Sequence, residues 1–145
     1  DVHKETSEQV ADKMVAAHKA GLNVIVCVGE KDAKMEAAQR NAIVKEQIAK
    51  SLCNTADAMN TIIAYEPVWA IGTGLTPTTD DITKMHRLIA EFLPAKAKGA
   101  RILYGGSVKA DNAEAILKLP EVDGALVGGA SLNKDDFLKI IAFAT

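Results

Sequence analysis

Cysteine is scarce in this chain. The 145 residues contain two cysteines, Cys27 and Cys53, and neither lies in the paired spacings of a metal site or a disulfide framework. The sequence therefore predicts no metal centre and no disulfide-linked extracellular domain. A reducing compartment, the cytoplasm, is the expected location.

Long apolar runs and an excess charge of one sign are also missing. No apolar run reaches the roughly 18 residues of a membrane span, and the N-terminal segment lacks the apolar core of a signal peptide. The formal net charge is −2, with acidic and basic residues interspersed. This pattern disfavours nucleic acid or an anionic membrane as a partner and favours a small ligand. The chain begins at Asp1 without a methionine, so we expect it to be cut from a longer one.

The remaining composition is that of one ordinary globular domain, with 48% apolar and 25% charged residues. Helical and strand-like patterns alternate four times, which predicts an α/β fold with parallel strands joined by helices. Predicted strands cover residues 23–28, 61–65, 101–104 and 124–127. Predicted helices begin after Thr6 or Ser7, near Ala33, after residues 78–80, after Asp111 or Asn112, and near Asn133.

An acidic residue follows the second predicted strand. Residues 61–65 are β-branched or aromatic, and Pro67 ends the strand because proline cannot donate to a ladder. Glu66 therefore lies at the strand's carboxyl end, on the same face as Ile62 and Ala64. Catalytic residues of α/β folds occupy such positions. The alternative is a structural carboxylate that caps a loop or pairs with a lysine.

The segment after Glu66 has the composition of a mobile lid. Pro67 and the Gly72-Thr73-Gly74 end are plausible hinges, and the apolar residues between them could exclude water when the segment closes. This lid comprises Pro67, Val68, Trp69, Ala70, Ile71, Gly72, Thr73 and Gly74. A lid over Glu66 favours a general base over a structural carboxylate.

Glycine pairs follow the third and fourth predicted strands. Residues 105–107 read Gly-Gly-Ser, and residues 128–129 are both glycine. Either pair alone could be a simple turn. Backbone N–H groups at Gly106, Ser107, Gly128 and Gly129 could instead converge on phosphate oxygens, as barrel enzymes often arrange after their last two strands.

A thiol and a second carboxylate lie at the end of the first predicted strand, in Cys27-Val28-Gly29-Glu30. Cys27 has no base beside it in sequence, so we expect packing and support from it and not nucleophilic attack. His18 and His86 lie on predicted helices without ligand spacing, which favours packing or surface roles.

Four strings in this sequence together resemble the triosephosphate isomerase family. They are residues 27–30, Ala64 through Gly74, residues 104–108 (Tyr-Gly-Gly-Ser-Val) and residues 124–132 (Gly-Ala-Leu-Val-Gly-Gly-Ala-Ser-Leu). The most specific is Glu-Pro-Val-Trp-Ala-Ile-Gly-Thr-Gly, which begins at Glu66. The resemblance implies a TIM (β/α)8-barrel fold.

The resemblance also implies an activity. Glu66 would be the general base that interconverts dihydroxyacetone phosphate and D-glyceraldehyde 3-phosphate through an enediolate, without a cofactor, in glycolysis and gluconeogenesis. In that family a glutamate is the general base, a neutral histidine is the electrophile, and a loop closes over the substrate. Positions equivalent to phosphate-binding residues are Gly72, Ser107, Gly128 and Gly129. Supporting positions are Cys27, Glu30 and Tyr104, and Trp69 is expected to pair with Glu30 in the open lid.

The resemblance covers only the C-terminal portion of a barrel that typically has about 250 residues. Residues 1–145 correspond to the last four β/α units and one preceding helix, and the N-terminal half is absent. The family's Asn, Lys and His and a further Glu have no counterpart here. The resemblance implies a homodimeric parent, and we expect the 145 residues alone to be nearly inactive and either to need that half or to self-associate.

One position departs from the family pattern. Where the family's closed lid commonly offers a backbone N–H to the tyrosine equivalent to Tyr104, this chain has Pro77, which lacks that proton.

The sequence leaves two alternatives to an isomerase open. One is a phosphate-binding or assembly module without turnover, and the other is an unrelated phosphate-binding barrel enzyme.

Overall fold

The computed structural model describes residues 5–70 and 76–144. Within these residues, helices and strands alternate along the chain. The helices are α1 (Ser7–Lys19), α2 (Ala37–Ser51), α3 (Thr79–Phe92), α4 (Ala113–Leu117) and α5 (Lys134–Ile141). The strands are β1 (Val24–Val28), β2 (Thr61–Tyr65), β3 (Ile102–Tyr104) and β4 (Gly124–Ala125). Short 3₁₀ helices cover Val68–Ala70, Ala95–Ala97 and Gly129–Leu132.

The four strands form one parallel sheet in the order β1-β2-β3-β4. The predicted α/β alternation and parallel pairing are therefore confirmed. The bounds of β2 agree with the prediction, whereas β4 ends two residues before the predicted Val127. In the part of the chain that is described, the sheet is open between its two edge strands and does not form a closed barrel.

Alternate strand residues build the core on one face of the sheet. Val26 lies opposite Ile63 and Ile63 opposite Ile102, and Tyr65 lies opposite Tyr104. All five are buried in one cluster with helix residues such as Met14, Val44, Ile48, Ile82 and Ile89. Because side chains alternate along a strand, Ile25 and Cys27 point to the opposite face, where Ile25 is 45% exposed and Cys27 is exposed.

Local capping explains several helix boundaries. Thr6 and Thr78 each form a capping box, with Gln9 and Asp81 respectively, and so confirm two of the predicted helix starts. Gly21 follows α1 with a left-handed φ of 76°, a conformation that commonly ends helices and that glycine adopts readily. The prediction that the second helix begins near Ala33 is wrong by one turn, because the preceding residues form turns and bends.

The apolar residues Phe137, Leu138 and Ile141 predict one buried stripe on α5, and the structure corrects this prediction. Ile140 is the buried residue, Phe137 is half-buried, and Leu138 and Ile141 are 53% and 46% exposed. The sequence periodicity of an amphipathic helix marks an apolar face. It does not say whether another element covers all of that face, and only part of this one is covered within the described residues.

Candidate functional site

An open cleft of about 500 Å³ lies at the carboxyl ends of β2, β3 and β4. Glu66 forms part of its wall, and the loops that follow β3 and β4 form the rest. Its lining residues are Glu66, Gly105, Gly106, Ser107, Val108, Lys109, Leu126, Val127, Gly128, Gly129 and Ala130. The cleft thus brings together the predicted base and the predicted phosphate-binding residues Ser107, Gly128 and Gly129.

Main-chain hydrogen bonds hold Glu66 at this edge. Its N–H donates to the carbonyl oxygen of Val28 at 2.7 Å, and the Gly105 N–H donates to the carbonyl of Tyr65 at 2.8 Å. These bonds continue the ladders of β1 with β2 and of β2 with β3 beyond the strand ends. The Glu66 side chain is half-buried and faces the cleft.

Two glycines allow close approach to Glu66. A Cβ atom on Gly29 would lie 1.7 Å from the Glu66 carbonyl oxygen, and one on Gly105 would lie 2.6 Å from the Glu66 Cγ. The first contact is with rigid backbone and the second with the candidate base itself. Any side chain at either position would therefore displace Glu66 or its backbone.

A second carboxylate, Glu30, is buried at 1% exposure next to the start of the lid. The Tyr65 hydroxyl donates to its Oε1 at 3.1 Å, and the Trp69 Nε1–H donates to the same oxygen at 2.8 Å. The predicted pairing of Trp69 with Glu30 is thus present. Burial, and secondarily the Glu30 charge, raise the pKa of Tyr65, so this hydroxyl remains a donor to the carboxylate.

The loop after β3 is held by an asparagine. The Asn112 Nδ2 donates to the Ser107 carbonyl at 3.0 Å, while its Oδ1 accepts from the Lys109 N–H at 2.7 Å. Asn112 was predicted only as a possible helix cap, and the structure shows no side-chain bond from it to the α4 backbone. Its two bonds fix the curve of the loop around Ser107.

The loop after β4 presents unshielded backbone to the cleft. Gly128 and Gly129 are exposed, and a Cβ atom on either would meet nothing within 4 Å. Among the hydrogen bonds between described residues, none uses the N–H groups of Gly106, Ser107, Gly128 or Gly129 as donor. These four N–H groups are therefore available to an anion.

Cys27 does not pack in the core, contrary to the expectation from sequence. Strand alternation puts it on the sheet face opposite the helices, where it is exposed beside Glu66. Desolvation and the Glu66 carboxylate, through its charge and a hydrogen bond, raise the pKa of Cys27 to about 12. The thiol therefore stays protonated near neutral pH, and a thiol is a weaker nucleophile than a thiolate.

Tyr104 lies beneath the loop that begins at Gly105. Its side chain is buried, its hydroxyl has no hydrogen-bond partner among the residues the structure describes, and burial raises its pKa to about 12. A Cβ atom on Gly106 would lie 2.2 Å from that hydroxyl oxygen. Tyr104 therefore supports the loop by packing.

The lid is described in part. Pro67 and Ala70 are buried, Val68 is 37% exposed, and Trp69 is half-buried against Glu30. Residues Ile71, Gly72, Thr73 and Gly74 lie outside the described residues, so the predicted phosphate contact at Gly72 stays a prediction.

Sequence reasoning missed two residues that structure brings to this region. Lys109 lines the cleft and carries a positive charge beside the free N–H groups, and its place two residues after Ser107 was the available signal. Gln47 on α2 bonds to the Gly29 peptide, and no sequence signal linked those positions.

Residues 5–70 and 76–144 contain no group of three or more His, Cys, Asp or Glu side chains suited to a metal ion. In the same ranges, every helix is too short or too polar to traverse a bilayer.

Comparison with protein families identifies relatives over nearly the whole chain. A family model described as triosephosphate isomerase matches residues 1–144. A triosephosphate isomerase from Rhodopseudomonas palustris (strain BisA53) is 52% identical over 144 residues, which is 97% of this chain and 57% of the relative. One from Xanthobacter flavus is 51% identical over 142 residues, which is 95% of this chain and 57% of the relative.

A solved structure gives the same result for the fold. The crystal structure of triosephosphate isomerase from Bartonella henselae aligns with a TM-score of 0.87 and 38% identity, covering 98% of this chain and 59% of that chain. The chain therefore spans somewhat more than half the length of the relatives that it matches. The predicted barrel family is confirmed, and the four-stranded sheet is a portion of such a barrel.

Proposed function

Because the chain belongs to the triosephosphate isomerase family, we propose that the protein carrying these residues interconverts dihydroxyacetone phosphate and D-glyceraldehyde 3-phosphate. The observation that carries the proposal is the shared cleft of about 500 Å³. In this cleft the Glu66 carboxylate and the free N–H groups of Ser107, Gly128 and Gly129 line the same space. A phosphate on the amides would present the triose to the carboxylate.

The chemistry follows from this arrangement. Glu66 takes a proton from one carbon of the triose and returns it to the neighbouring carbon, through an enediolate. Anchoring the phosphate converts the proton transfer into an effectively intramolecular step. The lid segment, which begins at Pro67, keeps water from the reactive intermediate. No cofactor takes part.

The enediolate oxygen also needs a positive or hydrogen-bonding partner. Lys109 is the cation among the described residues that line the cleft, and it lies on the phosphate side with Ser107. Loss of a single stabilising donor can lower the rate by roughly 10²–10³. The family's Lys and His have no counterpart in this chain, so we expect the 145 residues alone to be nearly inactive.

We also propose that the complete protein is a cytoplasmic homodimer.

The test is the substitution Glu66→Gln in the complete protein. We expect isomerisation to be lost, because the amide cannot accept the proton, while binding of inorganic phosphate is retained. Glu91→Gln changes an exposed glutamate on α3 in the same way and should leave both properties unchanged. Isomerisation at the wild-type rate by the Glu66→Gln protein would reject Glu66 as the base.

A second candidate function is phosphate binding or assembly without turnover. The four free amides support it, since they do not depend on Glu66. An isomerase assay combined with phosphate titration separates the two functions. Phosphate binding without turnover by the complete wild-type protein would favour the second.

A further inference from the structure

The Gly29 peptide, directly after β1, is held by a side chain from α2. The Gly29 N–H donates to the Gln47 Oε1 at 2.8 Å, and the Gln47 Nε2 donates to the Gly29 carbonyl at 3.0 Å. Both contacts are within the normal range for such hydrogen bonds. A single side-chain amide thus satisfies both polar groups of one residue.

Gly29 needs these bonds because it is buried and lies beyond the sheet ladder. The last paired residue of β1 is Val28, opposite Tyr65. A buried N–H or carbonyl that lacks a hydrogen-bond partner destabilises the fold. Only Gln and Asn side chains offer an amide donor and a carbonyl acceptor in one plane, and Gln47 here supplies both.

The same peptide touches the backbone of the candidate base. The carbonyl oxygen of Glu66 passes so close to Gly29 that a Cβ atom there would lie 1.7 Å from it. On either side of Gly29, the Val28 carbonyl accepts from the Glu66 N–H at 2.7 Å and the Glu30 carbonyl accepts from the Val68 N–H at 2.9 Å. Gly29 therefore lies between the two bonds that fix the chain from Glu66 to Val68.

We propose that Gln47 is a positioning residue for the isomerase site. Through the Gly29 peptide it holds the Glu66 backbone, and it also holds Glu30, whose carboxylate accepts from Trp69 in the lid. One side-chain amide on α2 therefore determines the positions of both Glu66 and the first residues of the lid. This inference rests on the proposed function, since it names a role in the reaction of that site.

The test compares Gln47→Leu and Gln47→Glu with matched changes at Gln39, which is exposed on the same helix. In the protein as it occurs in its source, Gln47→Leu should lower kcat by up to about 10²-fold, because small displacements of a catalytic group have effects of this size. KM and the binding of inorganic phosphate should change little, since Ser107, Gly128 and Gly129 lie on other loops. Gln39→Leu should leave kcat unchanged.

Gln47→Glu separates positioning from general stability. The ionised carboxylate keeps an acceptor for the Gly29 N–H but places a second acceptor against the Gly29 carbonyl. Protonation restores a donor, so kcat relative to wild type at the same pH should recover as the pH falls. Recovery should be absent in Gln39→Glu. A wild-type kcat for folded Gln47→Leu, or a Gln47→Glu deficit independent of pH, would overturn the inference.

Trp69 is the only tryptophan among the 145 residues, and its emission in the complete protein is obtained as the difference from the matching Trp69→Phe protein. This signal separates the inference from the proposed function. If the wild-type protein has no isomerase activity, the proposed function fails. A change of Trp69 emission in Gln47→Leu and not in Gln39→Leu would then still support the link from Gln47 to the lid. Unchanged emission in both would overturn that link.

Discussion

Two glycines at strand ends determine how closely other groups approach Glu66. Gly29 accommodates the Glu66 backbone, and Gly105 accommodates its side chain, with a hypothetical Cβ atom 2.6 Å from Cγ and 3.2 Å from Oε1. The sequence suggested phosphate binding for the segment that begins at Gly105. The structure adds that this first glycine makes room for the carboxylate.

Gly105→Ala is expected to impair the reaction more than substrate binding. The new methyl group pushes the Glu66 carboxyl from its place in the cleft, and a misplacement of about 1 Å can cost about 10²-fold in rate. Steady-state kinetics should show a lower kcat with little change in KM. In Gly128→Ala, where the Cβ atom meets nothing within 4 Å, kcat should fall less. Equal kcat for wild type and folded Gly105→Ala would contradict the argument.

At the scale of elements, α3 is tied to the turn that precedes β4. The His86 Nδ1 lies 2.9 Å from the Glu121 carbonyl oxygen, and the Arg87 Nε and Nη2 donate to the Glu121 Oε1 at 2.8 and 2.6 Å. A carbonyl only accepts, so Nδ1 carries the proton in neutral His86. These contacts hold the turn from which the chain runs through β4 to Gly128.

His86 should make stability depend on pH. Burial lowers its pKa, although the Glu121 carbonyl and the charges of Asp123 and Glu121 oppose this effect, and Nε2 is buried without a partner among the described residues. The unfolded chain therefore binds the proton more readily. The contribution of neutral His86 to the free energy of unfolding is complete above the unfolded pKa of about 6.5. It is lost as the pH falls through that value towards the lower pKa of the folded state.

Urea unfolding of wild type and His86→Gln at several pH values measures this effect. The free energy of unfolding of the wild type should fall with acidification by at most about 1.4 kcal/mol per pH unit more than that of His86→Gln. Parallel pH profiles for wild type and His86→Gln would show that His86 does not contribute.

At the scale of the whole molecule, one sheet face and two strand edges lack a covering layer within the described residues. The exposed Ile25 and Cys27 lie on this face, and β1 and β4 are the edge strands. Unpaired strand edges beside exposed apolar surface favour association with another chain.

The 145 residues expressed alone should therefore self-associate. Ile25→Lys places a charge on the uncovered face and should reduce the mass measured by light scattering. Met59→Lys makes the same change at a residue that is 86% exposed in the loop before β2, and it should leave the mass unchanged. A monodisperse monomer for the unmodified 145 residues would contradict the prediction.

Much of the fold was predictable from local chemistry. The β-branched run at residues 61–65 and the capping residues Thr6 and Thr78 produced elements where the sequence indicated them. The length of β4 and the exposure of Leu138 were not predictable, because both depend on what lies beside them. In the candidate site, residues next to strand ends could be chosen from sequence, but their roles in catalysis remain predictions.

Local patterns in the sequence were sufficient to predict the parallel α/β order, the family and the candidates Glu66, Ser107, Gly128 and Gly129. Strand periodicity and turn chemistry act between near neighbours and are readable in the chain. The folded chain was needed to show that Gln47 bonds to Gly29, that Glu121 accepts hydrogen bonds from His86 and Arg87, and that Cys27 is exposed. These contacts join residues far apart in sequence, and the packing of helices on the sheet brings them within hydrogen-bonding distance.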